Sequence, residues 1–219
     1  MIRGVIFDMD GLMFDTERLW DTVWEPLCAE MGFTMPDDLE TFYTTGRGLA
    51  GEALHAHILR YFPMADPEQV VKEAQRLASE RFAQGVPCKP GLRELLDTLD
   101  RHKIPCIVAS SSPRELILQN LKNTDTARYF QDVVCGDDVV HSKPAPDIFQ
   151  LAARRIGVDI HDCLVLEDSF NGVRAGHAAG AVTVMVPDLA QPTDEIRRLY
   201  TRCCHDLFEV RELLLAGEL

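Results

Sequence analysis

A chain of 219 residues with 46% hydrophobic and 26% charged side chains has an ordinary globular composition, neither collagen-like, low-complexity nor disordered. At this size about 70% of the unfolded surface is buried on folding, ample for a core, so one domain, or one with an insertion, is expected. Lys and Arg number 22 against 35 Asp and Glu, a formal net charge of −13, which argues against nucleic acid as a partner and leaves a small phosphate ester open.

The first element is a strand over Ile2 to Phe7. Between Asp15 and Val86 the pattern turns helical, at Leu19 to Met31, Leu49 to Phe62 and Pro67 to Phe82, and the Pro- and Gly-rich run from Gly85 to Gly91 reads as a linker. Short β-rich runs return at Ile104 to Ala109, Val133 to Cys135, Cys163 to Leu166 and Ala181 to Val186. Helical patterns separate them at Pro113 to Leu121, Pro146 to Ile156 and Gly172 to Ala179, and a last helix carries Val210, Leu213, Leu214 and Leu215 as packing positions. Strands alternating with helices predict an α/β fold, a Rossmann-like doubly wound parallel sheet with an inserted helical cap domain. The core is expected over 1–14 and 88–219 and the cap over 15–87. Right-handed crossovers put every strand's carboxyl end on one edge, where ligands bind in open α/β sheets.

The residues at those strand ends are polar. Asp8-Met9-Asp10-Gly11 follows the first strand, and two carboxylates two residues apart can enter one pocket if the chain turns out of strand geometry, a turn that Gly11 permits. A solvated Asp turn is the plainer reading of these four residues alone. An EF-hand fails, because Leu12 and Met13 stand where an acidic residue or Asn and then Gly are needed. Ser110-Ser111-Ser112 precede Pro113, and hydroxyls beside the amides that open a helix form a candidate phosphate cradle, with simple helix capping by Ser112 as the coexisting alternative. Lys143 is a lone cation in the loop Ser142-Lys143-Pro144, and Glu167-Asp168 end a further strand, ahead of Ser169, Asn171 and Gly172. Four carboxylates, one ammonium and a hydroxyl cluster on one edge suit Mg2+, which prefers hard oxygen ligands together with waters and a substrate phosphate.

In order and spacing, over essentially the whole chain, these features match the four motifs of the haloacid dehalogenase superfamily of phosphotransferases. The sequence resembles its beta-phosphoglucomutase-like branch most, through FDMDGLMFDTE at Phe7 to Glu17, VASSSP at Val108 to Pro113, SKPAPDIF at Ser142 to Phe149 and LEDSFNGVRAG at Leu166 to Gly176. The resemblance implies that Asp8 is the nucleophile that takes up phosphate and Asp10 the general acid and base. It implies that Ser110 and Lys143 hold the phosphate, and that Mg2+ is bound by Asp8, the main-chain carbonyl of Asp10 and Asp168, with Glu167 as a further ligand or a partner behind the ligands. Dehalogenases of the superfamily lack the second Asp, because a halide leaves without a proton, so Asp10 argues against that activity.

Gly46-Arg47-Gly48-Leu49-Ala50-Gly51 fits a dinucleotide fingerprint in letters, but it lies in the helical insertion, outside any βαβ unit, and reads as a loop starting a helix. In relatives this loop faces the active site, which makes Gly46, Arg47 and Gly48 specificity candidates together with Thr16 and Trp20. Sugar phosphomutases of the family carry a His near the position of Trp20 and an Arg near Leu49 or Ala50, from which Arg47 is offset; this favours a phosphatase over a mutase. His55 and His57 are read as surface residues, too far around the helix from each other to share a metal. The seven Cys, with no CxxC pair and with Cys203 and Cys204 adjacent, do not form a disulfide framework; they read as small apolar residues in a reducing compartment.

The expected protein is a Mg2+-dependent phosphatase of a small sugar or polyol phosphate, working through an aspartyl phosphate. A beta-phosphoglucomutase-type mutase is the alternative, and a phosphoacceptor signalling module is a third reading that the cap disfavours. With no run near the ~20 apolar residues that span a bilayer and only Val5, Ile6 and Phe7 ahead of Asp8 in place of a signal-peptide core, it is expected to be cytoplasmic, free of membrane and monomeric. Its partner is a small phosphorylated metabolite. Cap closure is expected to hinge near Phe14 and Val86 to Pro90.

Overall fold

The computed structural model describes residues 2–46, 51–83, 85–189 and 191–219. In chain order its elements are β1 Gly4–Phe7, α1 Thr16–Met31, α2 Leu39–Gly46, α3 Gly51–Tyr61, α4 Pro67–Ala83, α5 Leu92–Arg101, β2 Cys106–Ala109, α6 Arg114–Asn123, β3 Phe130–Val134, α7 Asp147–Arg155, β4 Cys163–Glu167, α8 Phe170–Ala179, β5 Val182–Met185, β6 Arg202–Cys203 and α9 Leu207–Ala216. They fall into two compact units, Met1–Asp15 with Val86–Leu219, and Thr16–Gly85. Among the described residues no helix is long and apolar enough to cross a membrane.

The first unit is an α/β sandwich. All its strands pair in parallel, in the order β3-β2-β1-β4-β5-β6. Every residue of β1, β2 and β4 is buried, as strands covered on both faces must be, and this is why they read as unbroken apolar runs rather than alternating ones. Ile6, Ile107, Val134 and Val165 pack with Phe149 and Ala152 of α7 and Ala175 of α8 in one cluster. In α5, which the sequence reading passed over, Leu92, Leu95, Leu96 and Leu99 are buried at helical spacing. Burying each contributes about 1.5–3 kcal/mol, several times any difference in helix propensity, so packing rather than propensity defines this helix. The last helix departs in part from expectation: Leu207 and Val210 are buried, whereas Leu215 is exposed, because the helix turns it past the apolar face.

The second unit holds α1 to α4 and, among its described residues, no strand. Phe42 stands at the centre of an aromatic cluster, its ring 4.9 Å from Trp24, 4.9 Å from Tyr61 and 5.2 Å from His57. His57 therefore corrects the surface assignment. It is buried, stacked on Phe42, and its Nε2 finds no hydrogen-bond partner among the described residues. Burial, and then the charge of Arg60, lower its pKa below the ordinary histidine value, against a hydrogen bond with the Phe42 backbone. Of the cysteines, Cys28, Cys106, Cys135, Cys163 and Cys204 are buried as small apolar residues, Cys88 is half-buried, and Cys203, on the edge strand β6, is exposed.

Candidate active site

The strand order reverses direction between β1 and β4, and at such a switch point the loops leaving neighbouring strands part and open a crevice. Register fixes what lines it. Phe7 is level with Val108 on one side and Leu166 on the other, so Asp8, Ala109 and Glu167 arrive at the carboxyl edge at one height. The Asp8 amide continues the ladder by donating to Leu166 O at 3.0 Å.

Lys143, in the loop before α7, ties these ends together. Its Nζ donates to Asp8 Oδ1 at 2.5 Å, to Glu167 Oε1 at 2.6 Å and to Ala109 O at 3.2 Å. Glu167 is fully buried, and its Oε2 accepts from the amides of Asp168 and Ser169 and the Ser169 hydroxyl, all at 3.0–3.1 Å. Gly172, in the first turn of α8, leaves room for that carboxylate, since a Cβ there would stand 1.7 Å from Glu167 Cδ. The second glycine that the site requires is Gly11, at φ +82°, where a side chain would strike Asp168 Oδ2 at 2.3 Å. The turn it makes also carries Asp10 away from the strand direction.

Asp10 does not join the other carboxylates. Its Oδ2 accepts from Ser110 Oγ at 3.1 Å and from Ser112 Oγ at 2.7 Å, and Ser110 Oγ in turn accepts from the Ser112 amide at 3.0 Å. Helix capping by Ser112 is thereby overturned: α6 starts after Pro113 without a side-chain cap, and the hydroxyl is spent on Asp10. Ser110 is fully buried, while Ser111 is exposed. Thr16, Trp20 and Gly46 lie in the helical unit: Thr16 buried at the start of α1, Trp20 half-buried with its ring 5.9 Å from Phe82, and Gly46 at the end of α2 against His57. Arg47 and Gly48 fall outside the described residues.

Asp8, Glu167 and Asp168 each bring a carboxylate oxygen within 4.8 Å of the others. Burial raises the Asp8 pKa most; with Glu167 and Asp10 it outweighs the pull of Lys143 and pushes the carboxyl up to about 8. Asp168 is held well above the usual range, by burial first and then by Glu167 and Asp8. Burial works against the charge of Lys143 as well, but Asp8 and Glu167 more than offset it, and the ammonium stays protonated. Fully ionised, three carboxylates against one ammonium would leave two negative charges in a buried place, and the raised pKa values of Asp8 and Asp168 register that cost. A divalent cation that prefers oxygen donors, Mg2+ above all, fits that set. Glu167 is the least available of the three, with both oxygens already engaged.

A family model, haloacid dehalogenase-like hydrolase, matches residues 2–180. The chain belongs to the haloacid dehalogenase-like hydrolases. Within that family it is 36% identical over 193 residues to a Drosophila melanogaster protein named "Probable pseudouridine-5'-phosphatase", covering 85% of this chain and 82% of the relative. It is 32% identical over 222 residues to the "Phosphorylated carbohydrates phosphatase" of Thermotoga maritima, covering 99% and 92%. A crystal structure from Thermotoga maritima named "putative beta-phosphoglucomutase" superposes with a TM-score of 0.84 at 26% identity, over 98% of this chain and 99% of that one. The chain is thus a phosphatase of the haloacid dehalogenase-like type, built on that family's α/β fold.

The sequence offers Ser112 both to the phosphate cradle and to a helix end, and neither reading places it on Asp10. Lys89 and Asp188 were not considered, although Asp188 follows Val186 and Pro187 just beyond β5 and repeats the pattern of an acid past a strand end; they are joined at 2.6 Å across 99 positions of sequence.

Proposed function

We propose that this phosphatase hydrolyses a small phosphate monoester, a sugar or polyol phosphate, in two steps through an aspartyl phosphate on Asp8, with Mg2+ as cofactor. The observation that carries the reading is the carboxylate group Asp8, Glu167 and Asp168 at the switch point of the sheet, with Asp8 and Glu167 paired to the one ammonium of Lys143. Mg2+ bound by Asp8 and Asp168 would supply counter-charge for the transferred phosphoryl group. Asp8 attacks phosphorus in line, and the ester oxygen leaves with a proton from Asp10. Asp10 then takes a proton from the water that splits the acyl phosphate. The hydroxyls of Ser110 and Ser112 support this role, since both aim at the one oxygen Oδ2 and so set the orientation of the carboxyl group. Lys143 holds Asp8 in place and offsets charge on the phosphoryl oxygens. The phosphatases named among the relatives support a phosphorylated metabolite as the substrate.

A panel of phosphate monoesters with Mg2+, followed by release of free phosphate and by appearance of sugar isomers, tests this. Phosphate release that Asp8→Asn abolishes is the expected result. A sugar phosphomutase is the second reading, favoured by the likeness to the Thermotoga structure; it predicts isomer formation primed by a bisphosphate instead.

A further inference from the structure

Asp188 is absent from every motif discussed above, yet it stands at the same edge of the sheet, three residues past the end of β5. Its side chain is only 3% exposed. Oδ1 accepts from Lys89 Nζ at 2.6 Å, which accounts for one oxygen and one charge. Oδ2 is buried and has no hydrogen-bond partner among the described residues. That oxygen does not face an apolar wall: a Cβ placed on Gly11 would lie 2.3 Å from Asp168 Oδ2 and 3.4 Å from Asp188 Oδ2, so both carboxylates border the same spot.

A buried carboxylate oxygen without a donor is costly, and a second carboxylate alongside raises the cost. A salt bridge that served only to tie residue 89 to the end of β5 would leave that cost unexplained. Mg2+ keeps several of its waters when protein carboxylates bind it, and each water presents hydrogens that need acceptors. We propose that Asp188 is a positioning residue of the cation site, its Oδ1 anchored by Lys89 and its free Oδ2 accepting a hydrogen bond from a water in the hydration shell of an ion held at Asp168. The inference rests on the Mg2+ reading above. Lys89 fixes the carboxylate in orientation, so that Oδ2 is in place before the ion arrives.

Asp188→Asn is the direct probe, because the amide keeps an oxygen for Lys89 and puts a hydrogen-bond donor where Oδ2 stood. Mg2+ is titrated calorimetrically into metal-free wild-type and variant protein, and the melting temperature of each metal-free protein is recorded. Acceptors behind the ligands typically account for 10- to 100-fold in metal affinity. The expected result is an Mg2+ Kd weakened by about 10- to 100-fold, with no fall in the metal-free melting temperature. Should the single variant fold poorly, Lys89→Met with Asp188→Leu removes both charges together and is expected to show the same weakening. An unchanged Mg2+ Kd in a folded variant overturns the inference while leaving the cation reading intact. A wild-type protein that binds no Mg2+ overturns both.

Discussion

Lys143 carries more of the site than its single charge suggests, because three of the strand ends reach one another through it. Lys143→Met leaves Asp8 and Glu167 buried and unpaired, a loss typically of about 3–5 kcal/mol, to be read in urea unfolding alongside the loss of turnover. Asp10→Asn removes the proton donor while keeping the shape, so kcat should fall by about 10²- to 10⁴-fold. Ser112→Ala removes one of two hydroxyls on Asp10 and should cost nearer 10-fold, on the scale of one hydrogen bond to a charged group; steady-state kinetics of the two variants check the ranking. Gly172→Ala touches no reacting atom, but its methyl must displace the Glu167 carboxylate, and with it Lys143. A misplacement near 1 Å can cost about 10²-fold, so this variant is expected to fold and to turn over slowly. Asp8, Asp10 and Glu167 were legible because each stands at or just past a strand end in a dense local motif, and Lys143 through the run SKPAPDIF ahead of a helix. Ser112 was legible as a hydroxyl after a strand, but its partner Asp10 stands 102 positions away, beyond any local pattern. The Lys89–Asp188 pair was not legible at all, since a lone Asp after Pro187 reads as a turn and its partner is remote in sequence.

At the level of elements, the buried strands announced themselves as continuous apolar runs. Their order did not, because parallel partners are set by long-range packing rather than by any local pattern. The two-residue edge strand β6 is exposed and has no apolar signature, and α2 is weak in helix formers after Leu39 and Glu40, with Thr41, Tyr43, Thr44 and Thr45; it is held by Asp38 accepting from the Thr41 amide at 3.0 Å and by the burial of Phe42. His57 shows how tertiary packing overrides a reading from helical spacing, and it carries a pH dependence. Its pKa in the folded protein is lowered below 6.5, so as pH falls through that value the unfolded chain takes up a proton that the folded α2–α3 packing resists, and stability declines. Above it the residue is neutral in both states and contributes no slope. His57→Phe keeps a ring against Phe42 and should flatten the acid side of the stability curve, measured by urea unfolding between about pH 8 and pH 5.

For the whole molecule, the net charge of −13 is not spread evenly over a solvated surface. Asp8, Glu167, Asp168 and Asp188 place part of it, buried, at one edge of one sheet, and a bound cation should therefore stabilise the protein as well as serve the chemistry. At an Mg2+ concentration 100 times its Kd the gain is about 2.7 kcal/mol, equivalent to roughly 5–10 °C in Tm for a chain of this size. Calorimetric scans with Mg2+ and with a chelator measure that shift directly. The central claim, however, is covalent: phosphate passes through Asp8. Rapid acid quench during turnover of a phosphate monoester with Mg2+, followed by peptide mass spectrometry, tests it most directly. The account predicts an alkali-labile phosphate on the peptide bearing Asp8, absent without Mg2+ and absent in Asp8→Asn. Undiminished phosphate release by Asp8→Asn, or a phosphate found on a different residue, would contradict it.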